Sequence, residues 1–443
     1  MPSPCAAWLC CCRSSRSNVA HSNRATLIAP IMIPIVPVGQ TGKASAQAPR
    51  DVVAAHNQPG AIRLASLPPL SLYVHYPWCV RKCPYCDFNS HAADANAALP
   101  EARYIDALIT DLELSLPLIW GRRVHTVFFG GGTPSLMSPA GFDRLMGELR
   151  ARLNLEADAE ITLEANPGTF EAEKFRSFRA SGANRLSVGI QSFNPAHLQA
   201  LGRIHDADEA KRAVEIAAAH FDNFNLDLMY ALPGQSVEQA RTDIQTALAY
   251  APPHLSVYHL TLEANTYFAK YPPALPDDDA AADMQEMIES TLGSAGYAHY
   301  ETSAYAQPKR QSKHNTNYWR FGDYLGIGAG AHGKLSFAQR ILRTVKLKNP
   351  EGYMAGCEAG TPLAEERELG TKELPFEFML NALRLTDGFE TALFTERTGL
   401  QMSAISRELD AAETRGLITR DHLRIAPTER GRRFQNDLLG MFL

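Results

Sequence analysis

Ser71-Leu-Tyr-Val-His-Tyr-Pro-Trp-Cys79-Val-Arg-Lys-Cys83-Pro-Tyr-Cys86-Asp-Phe-Asn-Ser90 is the stretch on which the reading of this chain turns. Its first five residues form a short β-branched and aromatic run that predicts a strand. Three cysteines follow directly, at spacings of four and three. A strand-end loop with thiolates this close together can wrap one face of a metal centre. The number of ligands is informative, because a structural zinc site is closed by four. A cubane iron–sulfur cluster held by three thiolates keeps one iron open for a ligand that is not protein. His91 would complete a Cys3His zinc set, so local spacing alone leaves both metals open.

Outward from this loop, composition sets the bounds. With 443 residues the chain can bury a large core and is expected to hold more than one domain. A formal charge of −5 argues against general nucleic-acid affinity. The eight cysteines fall into an N-terminal group (Cys5, Cys10, Cys11, Cys12), the triad and a lone Cys357. A disulfide framework would spread its pairs along the chain, so this pattern predicts a reducing, cytoplasmic setting. No apolar run reaches the roughly 18 residues of a membrane span.

From residue 70 the pattern alternates strand and helix through six units. Strands are predicted at 71–75, 126–129, 161–164, 185–190, 225–229 and 256–260. Helical periodicity lies between them at 104–118, 142–153, 171–181, 207–219 and 237–249. Such alternation gives an α/β fold, a parallel sheet curled towards a barrel with helices outside, and six units leave it open. Ligands of parallel barrels bind at the C-terminal strand ends. Here those ends carry the cysteine loop, Gly130-Gly131-Gly132-Thr133-Pro134, Glu164, Gln191, Asp227 with Leu232-Pro-Gly-Gln235, and Thr261-Leu-Glu263. Singly these are weak signals, since a glycine run is commonly a tight turn and a strand-end acid a helix cap. Six together describe an active-site scaffold.

The cysteine loop, with Tyr85 before its last cysteine, resembles the signature of the radical S-adenosylmethionine (SAM) superfamily. The flanking words LYVHYPWC and CPYCDFNSH resemble the branch that holds oxygen-independent coproporphyrinogen III dehydrogenase and the heme chaperone HemW family, from about Leu70 to the C-terminus. This resemblance implies a partial (β/α)6 TIM-like barrel carrying a 4Fe-4S cluster on Cys79, Cys83 and Cys86, with SAM on its open iron. It also implies SAM contacts from Tyr73, Tyr85, Gly131, Gly132, Thr133, Glu164, Gln191, Arg203 and Asp227. Thr261 and His332 occupy two further contact positions with residue types that differ from the dehydrogenase. The chemistry is consistent: SAM presents a carboxylate for Arg203, ribose hydroxyls and a sulfonium for Glu164 and Asp227, and adenine for Tyr85.

Domains are expected at 1–69, 70–270, 271–368 and 369–443. Residues 1–50 hold five basic residues and no acid, with Pro30, Pro34 and Pro37 breaking the apolar part. They read as a disordered leader or as sequence upstream of a true start at Met32; transit-peptide and secretory readings fit less well. The 271–368 region is expected to be an accessory part bearing His314-Asn-Thr-Asn-Tyr-Trp319 and a glycine-rich run ending His332-Gly333. Both resemble the chaperone branch. Their histidines are candidate heme ligands, although loop histidines more commonly serve the backbone. The last region reads as a helical, winged-helix-like domain. Its ten basic and eleven acidic residues oppose the usual DNA-binding role.

Two functions follow. One is a chaperone that holds heme beside the cluster and SAM and passes it to an acceptor protein, such as a membrane-associated respiratory enzyme. The other is radical decarboxylation of coproporphyrinogen III. The dehydrogenase carries a further cysteine two places after the third ligand, where this chain has Phe88, and its substrate-covering arm has no counterpart here. Both departures favour the chaperone, with no catalytic residue assigned and no nucleic acid as partner.

Overall fold

A computed structural model describes residues 60–94, 96–169 and 171–443. Six parallel strands form its centre: β1 (Leu70–Tyr76), β2 (Arg123–Gly131), β3 (Asn154–Ala165), β4 (Arg185–Gln191), β5 (Phe224–Tyr230) and β6 (His254–His259). The helices between them are α1 (Glu101–Ile119), α2 (Pro139–Arg152), α3 (Ala172–Ser181), α4 (Ala207–His220) and α5 (Val237–Ala249). Local sequence fixes their starts. Ser138 caps α2 ahead of Pro139, and capping boxes Asp206/Glu209 and Ser236/Gln239 open α4 and α5.

Period-two alternation divides the strand residues between two environments. Leu72, Val74, Val127, Phe129, Leu163, Val188, Leu226 and Leu255 are buried in the main apolar core with Phe142, Phe175 and Phe178 of the helices. The alternate residues Ser71, Tyr73, Thr126, Glu160, Thr162, Glu164, Arg185, Ser187, Asn225, Asp227, His254 and Ser256 line the opposite, polar face. There they bond across strands: Thr126 donates to Ser71 (2.8 Å), Ser187 to Asp227 (2.9 Å) and Asn225 to Ser187 (2.8 Å).

The 271–368 region differs from the expected appendage, because it extends this same sheet at both edges. β7 (Ala298–Glu301) and β8 (Ala304–Ala306) follow helix α6 (Asp278–Ser294) and pair antiparallel beyond β6. β9 (Asp323–Ile327) lies parallel to β1, and β10 (His332–Phe337), β11 (Arg340–Lys346) and β12 (Leu363–Glu368) continue from it. The resulting twelve-stranded sheet runs β12-β11-β10-β9-β1-β2-β3-β4-β5-β6-β8-β7, and its end strands do not pair, so the barrel is open as expected. These strands are short and several bury both faces, so they show no period-two alternation, while β12 is exposed along its whole length. Helix α7 (Lys313–Trp319) packs beside the N-terminal halves of β1 and β2.

The C-terminal region has the expected outline. Helices Leu374–Ala382, Thr391–Thr398 and Ser406–Thr414 precede a wing in which Ile418–Arg420 and Arg424–Pro427 pair antiparallel; the final helix breaks at Phe434. A boundary at 69 is corrected. Ile62 and Leu64 are each 7% exposed and belong to the C-terminal core with Phe378, Phe389 and Phe394. Leu64 N–H donates to Ala338 O at 2.9 Å. Two apolar residues in a short polar segment gave no periodic signal. Residues 1–59 of the expected 1–69 leader lie outside the described residues. Among the described residues no helix is long and apolar enough to cross a membrane.

Candidate cluster and SAM site

Strand β1 delivers the cysteine loop to the C-terminal end of the barrel, where Cys79, Cys83 and Cys86 are half-buried free thiols. Burial pushes the Cys86 thiol up to about 11 and also raises that of Cys79. Among the described residues no group of three or more His, Cys, Asp or Glu side chains is gathered as it would be around one metal ion. Three half-buried free thiols on one strand-end loop, with no fourth cysteine beside them among the described residues, are a donor set that fits a cubane with one open iron.

Around the loop, most residues expected at SAM come together. Tyr73 O–H meets His75 Nδ1 at 2.9 Å. Thr133, 2% exposed, donates its N–H to Trp78 O and receives a hydrogen bond from Asn166 Nδ2 (2.9 Å). Arg203 NH2 donates to Asn166 Oδ1 (2.5 Å) and Gly189 O (2.8 Å), and NH1 lies 3.6 Å from Cys83 Sγ. Its Nε is buried without a partner. A buried guanidinium N–H left open is costly unless a ligand or water takes it, and a carboxylate is its best match.

Glu164 accepts from Gly131 N–H at 3.1 Å, and burial, with Asp227 adding its charge, pushes its carboxyl up to about 8. Burial likewise raises Asp227, which accepts from Ser187, Asn225 (2.8 Å) and Tyr258 (3.4 Å). Two acids crowded in one low-dielectric face suit a cationic ligand, which would favour their ionised forms. Gln191 adopts φ +67° where the β4/β5 register shifts, so its half-buried amide is turned out of the strand pattern. Tyr85 packs against Phe268 in an apolar cluster with Leu201 and Leu260.

The glycine run has a packing role of its own. Gly132 N–H is already bonded to Tyr76 O (2.7 Å), and a Cβ there would meet Trp78 O at 2.5 Å. A Cβ at Gly131 (φ +116°) would overlap the His75 ring. These two glycines let β2 close against the end of β1. Gly130 is the one whose missing side chain faces Tyr73, Phe128 and Glu164.

Sequence reasoning missed Asn166, which bridges Thr133 and Arg203, and His75 and Asn89, which hold the cysteine loop. The signal for Asn166 was present, two residues after Glu164 at the same strand end. The two heme-ligand candidates part company. His332 opens β10; burial, with Arg343, Lys348 and His75 nearby, holds it down to about 4. His314 is 1% exposed at the opposite end, bonded through Nδ1 to Thr126 (2.7 Å) and through Nε2 to Tyr318 O–H (2.9 Å). Neither of its nitrogens is free for iron.

Comparison with known proteins agrees with this geometry. The radical SAM superfamily matches residues 73–247 and the HemN C-terminal domain matches residues 369–434. The chain is 50% identical over 384 residues to the heme chaperone HemW of Escherichia coli, covering 86% of this chain and 100% of that one. To HemW of Haemophilus influenzae it is 48% identical over 386 residues, covering 86% and 99%. The mouse mitochondrial radical S-adenosyl methionine domain-containing protein 1 is 42% identical over 270 residues, 60% of each chain. The solved coproporphyrinogen III oxidase HemN of Escherichia coli superposes with a TM-score of 0.73 at 24% identity, covering 85% of this chain and 90% of that one, a likeness of fold.

Proposed function

The chain belongs to the HemW family of the radical SAM superfamily, and on that premise we propose that it is a heme chaperone that binds heme, carries a 4Fe-4S cluster with SAM, and delivers heme to an acceptor protein. The observation that carries this reading is the match to HemW over the whole length of that relative. Cys79, Cys83 and Cys86 would hold the cluster, which supplies one-electron chemistry and an open iron for SAM.

The protein's own groups would do the rest. Arg203 binds the carboxylate of SAM through its open Nε, and Glu164 and Asp227 accept its hydroxyl or ammonium donors. His75 Nε2 faces a carbonyl, so it carries the proton and Nδ1 accepts from Tyr73. Tyr73 oxygen is thereby turned as an acceptor towards the ligand. Tyr85 and the apolar cluster with Phe268 shield one side from water. Of the two histidines, His332 suits heme iron better, because both nitrogens of His314 are already engaged.

The test is anaerobic reconstitution, followed by a coproporphyrinogen III assay beside a heme titration. Stoichiometric heme binding without protoporphyrinogen formation is expected. Phe88, 43% exposed beside the triad, stands where the enzyme has a thiol, and small misplacement of reacting groups removes most of a radical reaction's rate. Protoporphyrinogen production would overturn the chaperone reading, as would heme affinity no better than that of an unrelated protein.

A further inference from the structure

The cysteine loop leaves β1 at Tyr76 and its far end, after Cys86, is held by the other half of the sheet. Asn89 Nδ2 donates to two carbonyls, Ala329 O and Lys348 O, both at 2.9 Å. Its own carbonyl receives Nε2–H of His75 at 2.9 Å. These contacts span 240 residues of sequence, from the cysteine loop to the glycine-rich turn between β9 and β10.

That turn is a firm anchor. Gly328 N–H donates to Tyr353 O–H (3.0 Å), Ala329 N–H to Tyr104 O–H (2.9 Å) and Gly330 N–H to Leu347 O (2.9 Å). Tyr104 in turn donates to His75 O at 2.7 Å. The glycines are required by the same contact. A Cβ at Gly328 (φ +107°) would overlap His75 O, and one at Gly330 (φ +75°) would overlap the Asn89 amide. Gly131, packed on the His75 ring, completes the set. Three glycines on two distant segments therefore exist to let His75 and Asn89 seat.

We propose that Asn89, backed by His75 and received by the Gly328–Gly330 turn, is a positioning residue that fixes the Cys86 end of the loop for the cluster. This rests on the reading of the triad as cluster ligands. Groups that orient a metal's ligands without touching the metal typically cost about 10–100-fold in metal affinity when removed. The clasp also makes cluster retention depend on a segment remote in sequence, which gives the proposal its test.

The full-length protein is reconstituted anaerobically as wild type, Asn89→Ala, Gly330→Ala, Gly360→Ala and Cys83→Ala. Iron release to a chelator and the EPR spectrum of the reduced cluster are then followed. Gly360 has nearly the same backbone angle (φ +74°) with nothing near its Cβ position, so it controls for strain alone. Asn89→Ala and Gly330→Ala are expected to release iron about tenfold faster with shifted EPR signals, while Gly360→Ala behaves as wild type. Wild-type release rates and spectra in both clasp variants would overturn the proposal. So would a fall in apoprotein melting temperature parallel to the loss of iron, since the residues would then serve the fold. Retention of a full cluster by Cys83→Ala would instead sink the underlying cluster assignment.

Discussion

The cysteine loop and helix α7 are both dense with polar and aromatic residues, and both would be picked from sequence as ligand sites. Their hydrogen bonding separates them. At the loop, the thiols are half-buried and the neighbouring Arg203 Nε has no partner. On α7, His314 has both nitrogens engaged, and Asn317 Nδ2 donates to Ser71 Oγ and Asp323 O, each at 2.9 Å. Glu160 receives the N–H groups of Lys313 (3.2 Å) and His314 (3.1 Å) at the start of that helix. The histidine and asparagine of this motif are engaged inside the protein at the barrel floor, although Thr316 Oγ1 and Trp319 Nε1 on the same helix are buried without a partner. A charged group left open beside free thiols is where a ligand belongs.

The sharpest way to break this contrast is substitution at each end. Cys83→Ala is expected to abolish the cluster, seen as loss of brown colour and of iron and sulfide, with the apoprotein melting as wild type. Full iron retention, or stoichiometric zinc in anaerobically purified protein, would refute it. His314→Ala should do the reverse, keeping the cluster while destabilising the fold by about 3 kcal/mol. It opens a cavity against Phe128 and removes the hydrogen bonds that His314 makes to Thr126 and Tyr318. Urea unfolding measures it; loss of heme binding with unchanged stability would assign His314 to the ligand after all.

A smaller effect sharpens the comparison through pH. Glu164 is raised to about 8 when folded, well above its unfolded value. Between roughly pH 4.5 and 8 the folded state therefore holds a proton that the unfolded state has lost, and ligand-free stability should fall as pH rises through that window. Glu164→Gln should flatten that part of the curve; an unchanged slope would show that the carboxyl is ionised in the free protein. The smallest effect is expected from deleting residues 1–31, which should leave melting temperature, cluster and SAM binding unaltered. A drop of several degrees in the truncated protein would contradict the sequence reading of that segment.

The barrel was legible because its strands are apolar on one face and each ends in something unusual. The triad was legible because spacing alone limits what three thiols can hold. β7 to β12 were not, since they are short and several carry charge in buried positions, as at Glu301, Asp323, Lys334 and Lys346; Leu363–Glu368 pairs as an edge strand with no apolar face at all. The site was half legible: strand-end residues declared themselves, but Asn166, His75 and Asn89 act on other residues, and such partners appear only when strands are laid side by side. Gly131, expected at the ligand, also serves the closure of two strands, a packing role visible only in the fold.

Ile62 and Leu64 bear on the order in which this chain can fold. They leave the ribosome early, yet their apolar partners Phe378, Phe389 and Phe394 come from the last part made. Gly399 brings its helix end so close to this strap that a Cβ would meet Arg63 N at 2.9 Å. During synthesis the strap must wait, uncovered, while the barrel forms beside it. Closing such a long loop is slow and is rewarded only at the end. The C-terminal helices thus act as a latch on the strap of Ile62 and Leu64, which is seated only when they have been made.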